Sequence, residues 1–218
     1  MRAAGLILAG GRGSRMGGQT PKPLTELAGR PLIAHVIARL ERQAMPIILA
    51  APIGQDYERF ALKLAPDLRP GLVGPLAGVE AGLLALADMR NEVPAYLVVT
   101  PGDTPFVPTD IVERLSSTAS GKPVIASFQG RLQPATGIWP LTVLPALTRW
   151  LDDGRPLAIR AFLDDVGHDT VEIEASTDAP SGDPFFNVNT PEDLTVAEAF
   201  LGEKALLGEQ PPGQTSSL

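Results

Sequence analysis

Short apolar runs alternate with stretches whose apolar residues recur at helical spacing along most of this chain. Residues 3–9 form a continuous apolar run that breaks on glycines, the pattern of a strand buried on both faces. Residues 46–51 and 95–100 repeat it. Over 32–42 the residues Leu32, Ile33, Val36, Ile37 and Leu40 share one helical face, and over 56–64 Tyr57, Phe60, Ala61 and Leu64 do the same. A helix over 75–87 begins with proline, where a first helical turn tolerates one. The pattern further predicts helices over 108–115, 141–151, 157–164 and 191–201, and strands over 123–127, 135–139 and 170–174. Apolar strands alternating with amphipathic helices define an α/β domain with a mostly parallel sheet flanked by helices. We assign it to 1–201. Residues 202–218, rich in Pro, Gly, Gln and Ser from Gly208 onward, read as a flexible tail.

Composition removes several chemistries. The 218 residues include no cysteine and only two histidines, His35 and His168. Disulfides, thiolate metal sites and cysteine nucleophiles are therefore excluded, and a multi-histidine metal site nearly so. No apolar run approaches the roughly 18 residues of a membrane span, and the apolar N-terminal run meets glycines and arginines instead of a small-residue cleavage site. The expected location is the cytoplasm. A net charge of −7 disfavours nonspecific binding to nucleic acid or to a membrane surface. Charge is unevenly spread, however. Arg2, Arg12, Arg15, Lys22 and Arg30 against Glu26 alone give residues 1–30 a net charge of +4, leaving −11 on the rest. One basic, glycine-rich corner on an acidic protein points to a local site for a small anion.

Five glycines fall within Gly10 to Gly18, directly after the first strand. Glycines there let backbone N–H groups approach phosphate. The dinucleotide fingerprint does not fit, because Met16 stands where its third glycine belongs. Nor does the P-loop, since the chain's single Gly-Lys pair, Gly121-Lys122, lies far away. What remains is a loop with Arg12, Arg15 and then Lys22, cations suited to a triphosphate.

Two polar stretches stand beside it. Asp103 follows an apolar strand, at the end where open α/β sheets bind ligands, in a turn stiffened by Pro101 and Pro105. It suits magnesium, which takes hard oxygen ligands, and equally suits a turn aspartate that bonds nearby amides. Asn187 and Asn189 follow Phe185-Phe186 and would point to one side of an extended segment, while Thr190 and Pro191 open a helix. His35 reads as a packed or surface histidine. The pairs Asp152-Asp153 and Asp164-Asp165 read as solvated helix ends.

Taken together, five strings resemble the molybdenum cofactor guanylyltransferase family. They are Leu8-Ala9-Gly10-Gly11 with Ser14-Arg15-Met16-Gly17-Gly18; Gly29-Arg30-Pro31-Leu32; Gly74-Pro75-Leu76-Ala77-Gly78; Asp103-Thr104-Pro105; and Phe186-Asn187-Val188-Asn189-Thr190-Pro191. The resemblance implies a single-domain, Rossmann-like nucleotidyltransferase fold. It also implies transfer of GMP from GTP to the terminal phosphate of molybdopterin or its molybdenum-bound form, with Mg2+ as cofactor and pyrophosphate released. Cofactor-biosynthesis proteins and molybdoenzyme chaperones are the implied protein partners. Carried over by position, Leu8, Ala9, Gly10, Gly11, Asp67 and Gly78 would contact the nucleotide, Lys22 its phosphates, and Asp103 both nucleotide and magnesium. Arg15, Lys22 and Asp103 would serve catalysis, and Asn187 and Asn189 the acceptor substrate.

Three positions depart from the family pattern. Gln19-Thr20-Pro21 precede Lys22 where relatives have Asp-Lys, with one residue more. Ala50 stands where some relatives have a nucleotide-contacting asparagine, and Gly102 where many have cysteine. Three rival readings stay open on sequence alone: a cytidylyltransferase acting on the same pterin, a sugar-1-phosphate nucleotidyltransferase suggested by Pro21-Lys22-Pro23-Leu24, and a noncatalytic nucleotide-binding regulator.

Overall fold

A computed structural model describes residues 2–10, 20–69, 74–89 and 93–207. Gly11, Arg12, Arg15 and the segment 208–218 lie outside the described residues. The first apolar run is strand β1 (Ala3–Leu8). A turn of 3-10 helix at Lys22–Leu24 leads to a small hairpin, β2 (Glu26–Leu27) and β3 (Arg30–Pro31), and then to helix α1 (Leu32–Leu40). Next come β4 (Ile47–Ala50), β5 (Lys63–Leu64), α2 (Pro75–Ala87) and β6 (Tyr96–Pro101). The second half contains α3 (Ile111–Ser116), β7 (Val124–Phe128), β8 (Arg131–Pro140), α4 (Leu144–Asp152), α5 (Ile159–Val166), β9 (Asp169–Glu172) and α6 (Pro191–Leu206).

Seven strands form one sheet in the order β5-β4-β1-β6-β8-β7-β9. Only β8 runs against the others, pairing antiparallel with β6 on one side and β7 on the other. The central strands are buried on both faces, which is why they read as continuous apolar runs. Successive side chains still go to opposite layers. Ile7, Leu49 and Val98 pack with α1 and α3, whereas Leu6, Ile48, Leu97 and Val99 pack with α2, α4 and α5.

Helix α2 lies almost flush on β1. A Cβ at Gly78 would stand 3.0 Å from Leu8 Cδ2 and 3.3 Å from Ala50 Cβ, and one at Gly82 only 2.5 Å from Leu6. Glycine one turn apart lets the helix backbone approach the sheet that closely. Arg69 is tied to α2 and α4: its Nε and Nη2 donate to the buried Glu80 carboxylate at 2.6 and 2.7 Å, while Nη1 donates to Asp152 at 2.6 Å. Asp152 is therefore an ion-pair partner as well as a helix end. Arg155 similarly engages Asp165 at 2.9 Å.

The predicted helix over 56–64 is not formed. A 3-10 turn, Tyr57–Phe60, stands there instead, followed by the two-residue β5. Asp56 and Ala61 bracket the turn in left-handed conformations, with φ of 66° and 53°, and break the helical path at both ends. Helix α3 begins at Ile111, after a turn opened by Pro108, and α4 begins at Leu144 after a 3-10 turn at Leu141–Val143. Helix α6 continues five residues past the predicted end at 201, to Leu206.

Candidate functional site

The carboxyl ends of β1, β4 and β6 meet side by side. Ala9 and Gly10 both donate their backbone N–H to the Ala50 carbonyl at 2.9 Å, and Gly102 donates to the Leu8 carbonyl at 2.9 Å. Gly102 has a steric reason to be small: a Cβ there would press to 3.2 Å from both the Leu8 carbonyl oxygen and Pro23 Cβ. A larger residue there, such as the cysteine of many relatives, requires the Lys22–Leu24 turn or the end of β1 to give by a few tenths of an ångström. Pro21 and Pro23 limit the backbone freedom of that turn, and Leu24 N–H bonded to the Pro21 carbonyl at 2.8 Å closes it.

Lys22 consequently points at Asp103. Its Nζ donates to Asp103 Oδ2, to Asn187 Oδ1 at 2.9 Å and to Asn189 Oδ1 at 2.5 Å. An ammonium has three donors, and all three are matched. The Lys22 and Asp103 side chains are 13% and 18% exposed, so the ion pair is screened less than a surface pair would be. Asp103 Oδ1 is buried and makes no hydrogen bond among the described residues. The turn is closed by a different side chain, Thr104, whose hydroxyl donates to the Pro101 carbonyl at 2.9 Å. The carboxylate is thus turned away from the turn's own amides.

The asparagines are delivered by packing. Val188 is fully buried with Leu27, Leu32, Phe106, Ala197 and Leu201, in a third apolar cluster between α6 and the β2–β3 hairpin. Phe106 meets Phe186 and Phe200 edge-on, at 6.2 and 5.5 Å between ring centroids. In an extended segment, burying Val188 sends its two neighbours the other way, onto Lys22. Thr190 and Asp193 close a capping box on α6, and Asp193 Oδ2 accepts the backbone N–H of both Asn189 and Thr190 at 2.9 Å. Burial pushes the Asp193 pKa up, but the bonds from those amides and from the Thr190 hydroxyl, with Lys22 nearby, outweigh it and hold the carboxyl below its usual range.

Lys22, Asp103, Asn187 and Asn189, predicted from three separate stretches, therefore converge on one point, with Leu8, Ala9 and Gly10 on the adjoining strand end. Asp67 is itself exposed, between β5 and α2, and partial desolvation raises its pKa. Gly78 faces Leu8 and Ala50. Sequence reading missed how closely Gly102 meets the Lys22–Leu24 turn, and it missed Tyr57, which is fully buried and donates its hydroxyl to the Ala9 carbonyl at 2.9 Å. Neither carries a recognisable string; only the close approach reveals them. Among the described residues no group of three or more His, Asp or Glu side chains is placed to hold a metal, and no helix is long and apolar enough to cross a membrane.

An open, mostly parallel α/β sheet whose strand ends gather a lysine, a carboxylate and two amide oxygens has the Rossmann-like architecture of proteins that bind ligands at strand ends. Comparison with known proteins narrows that class. Residues 5–170 match the MobA-like NTP transferase domain, and the chain belongs to that family. It is 39% identical over 208 residues to a molybdenum cofactor guanylyltransferase of Cereibacter sphaeroides, covering 94% of this chain and all of that relative. It is 36% identical over 203 residues to one of Rhizobium johnstonii, covering 91% and 92%. Among solved structures it resembles molybdopterin-guanine dinucleotide biosynthesis protein A of Archaeoglobus fulgidus, with a TM-score of 0.71 at 23% identity over 92% of this chain and 99% of that one. A 4-diphosphocytidyl-2C-methyl-D-erythritol synthase of Anaerococcus prevotii shares the fold at 14% identity, with a TM-score of 0.69 over 92% and 96% of the two chains.

Proposed function

We propose that this protein transfers GMP from GTP to the terminal phosphate of molybdopterin, free or molybdenum-bound, and releases pyrophosphate. The observation that carries the reading is the convergence of Lys22, Asp103, Asn187 and Asn189 beside the Leu8–Gly10 strand end. The names borne by relatives of 36–39% identity supply the substrates. The triphosphate lies along the segment from Gly10 to Lys22, with the base toward Asp67 and the start of α2. The cytoplasm as location, and cofactor-biosynthesis proteins and molybdoenzyme chaperones as protein partners, follow from the same reading.

The donors around Asp103 fit Mg2+. Asp103, Asn187 and Asn189 offer hard oxygens, and the buried Asp103 Oδ1 has no hydrogen-bond partner among the described residues. Asp103, with Asn187 or Asn189, would hold the ion, which when bound neutralises charge on the phosphates. Lys22 exchanges at least one of its three present acceptors for a phosphate oxygen and offsets charge developing on the leaving pyrophosphate. Arg15, placed here by sequence alone, supplies a further positive charge. The acceptor is already a phosphate anion, so no general base is needed, and the chain contributes positioning and charge.

Pyrophosphate release measured with GTP, CTP, ATP and UTP, each with and without molybdopterin, tests the proposal. Release with GTP and only in the presence of molybdopterin is expected. Equal or faster release with CTP overturns the guanylyl assignment and leaves the fold untouched.

A further inference from the structure

The glycine-rich segment leaves the sheet at Ala9, and that residue is gripped on both sides. Its N–H is bound by the Ala50 carbonyl, and its carbonyl accepts the Tyr57 hydroxyl at 2.9 Å. Tyr57 is fully buried against the α1 side of the core. Burial pushes its pKa up to about 12, so the hydroxyl keeps its proton and remains a donor.

The backbone around Tyr57 is not the one the local pattern prefers. A regular helix over 56–64 would place Tyr57, Phe60, Ala61 and Leu64 on one apolar face. Instead, two non-glycine residues adopt left-handed conformations at the ends of a short turn, Asp56 and Ala61. Residues held that way persist where the surrounding structure over-determines them, and they gather at functional sites. The turn has its own local braces: Glu58 accepts the Gly54 N–H at 2.6 Å, and Arg59 pairs with Asp56 at 2.9 Å. Phenylalanine would fill the same space. What tyrosine adds at this position is the bond to Ala9.

We propose that Tyr57 is a positioning residue whose hydroxyl fixes the Ala9 carbonyl, and through it the direction in which Gly10 leaves β1 toward the GTP phosphates. The proposal rests on the nucleotidyltransferase reading above and deepens it. Tyr57 touches no substrate. It acts through the Ala9–Gly10 backbone, so it governs how well the nucleotide is received more than how fast the phosphorus reacts.

The test compares the wild type with Tyr57→Phe and with Ile33→Val, a core substitution on α1 that leaves the Tyr57 hydroxyl in place. Steady-state GMP transfer, melting temperature and amide exchange at Ala9 and Gly10 are measured on all three. In Tyr57→Phe the KM for GTP rises about three- to tenfold, as loss of one buried hydrogen bond allows, while kcat stays within about twofold. Exchange at Ala9 and Gly10 quickens, and Ile33→Val shows neither change. An unchanged KM in Tyr57→Phe, or an equal rise in Ile33→Val, overturns the proposal. If the wild type releases no pyrophosphate from any nucleotide, the enzymatic reading fails on its own. Amide exchange then decides the Tyr57 question, and unchanged protection of Ala9 and Gly10 in Tyr57→Phe overturns it.

Discussion

The backbone N–H of Val188 donates to the backbone carbonyl of Asp103 at 3.1 Å. That bond joins two segments 85 positions apart and sets their register. With Val188 buried beneath, the Asn187 and Asn189 side chains meet Lys22 beside the Asp103 carboxylate. The acidic turn and the asparagine segment are consequently one structural unit, and a change in either is felt at the same ammonium.

Asp103→Asn separates a metal ligand from a turn residue. The amide keeps size and hydrogen-bonding capacity and removes the charge, and the turn itself is closed by Thr104. The expected variant folds with a similar melting temperature and loses turnover by a factor on the order of 10², roughly 2.7 kcal/mol of transition-state stabilisation. Its magnesium requirement rises. A magnesium titration of GMP transfer checks this; wild-type rates at limiting magnesium would remove Asp103 from the metal site.

Lys22→Ala is expected to weaken GTP binding by about 1.5–3 kcal/mol for each charged hydrogen bond lost. Lys22→Arg rescues little, because a planar guanidinium fork does not match three oxygens converging on one point. Calorimetric titration of GTP into the three proteins reads both effects. Normal affinity in Lys22→Ala would show that the lysine serves Asp103 and not the nucleotide.

The three strands at the site were legible in the sequence: β1, β4 and β6 are apolar runs, each followed within two residues by glycine or proline. Lys22, Asp103, Asn187 and Asn189 also stand out, since polar residues beside buried runs are few here. Their convergence was not visible, because it depends on Val188 being buried and on a backbone bond across 85 positions. The failed helix at Tyr57 has the same origin. Periodicity records which residues are apolar, whereas Asp56 and Ala61 take left-handed conformations, which aspartate adopts more readily than most residues but which alanine gives no sign of.

Asp193→Asn removes one half of the capping box, with an expected loss of about 1 kcal/mol. Because hydrogen bonds depress the Asp193 pKa in the folded state, its contribution is present above the ordinary carboxyl range and fades as pH falls through the lowered value. Denaturant unfolding of both proteins at neutral pH and at about pH 3 checks this, with the gap between them narrowing at the lower pH. A constant gap would assign the loss to something other than ionised Asp193.

His35 offers a second pH effect in a separate window. Its Nε2 lies 2.9 Å from the Leu27 carbonyl, and burial lowers its pKa from 6.5. Above pH 6.5 the ring is neutral both folded and unfolded. Below that pH the unfolded chain takes up a proton that the folded chain resists, so stability falls with pH until the lowered pKa is reached. His35→Gln preserves a donor to Leu27 and is expected to flatten the pH dependence of stability between about pH 6.5 and 5. An identical slope in both proteins would exclude His35 as its source.

Helix α2 approaches β1 through two glycines one turn apart, and the first of them ends the string Gly74-Pro75-Leu76-Ala77-Gly78 on which much of the family likeness rests. That string therefore archives a distance between layers as well as a chemistry. A descendant that had lost catalysis but kept its fold would still need Gly78 and Gly82, and would still be found by anyone searching genomes for the string. On the mechanism proposed above, whether such a descendant could still act would depend instead on Lys22, Asp103 and the two asparagines. A census of working enzymes has to count there.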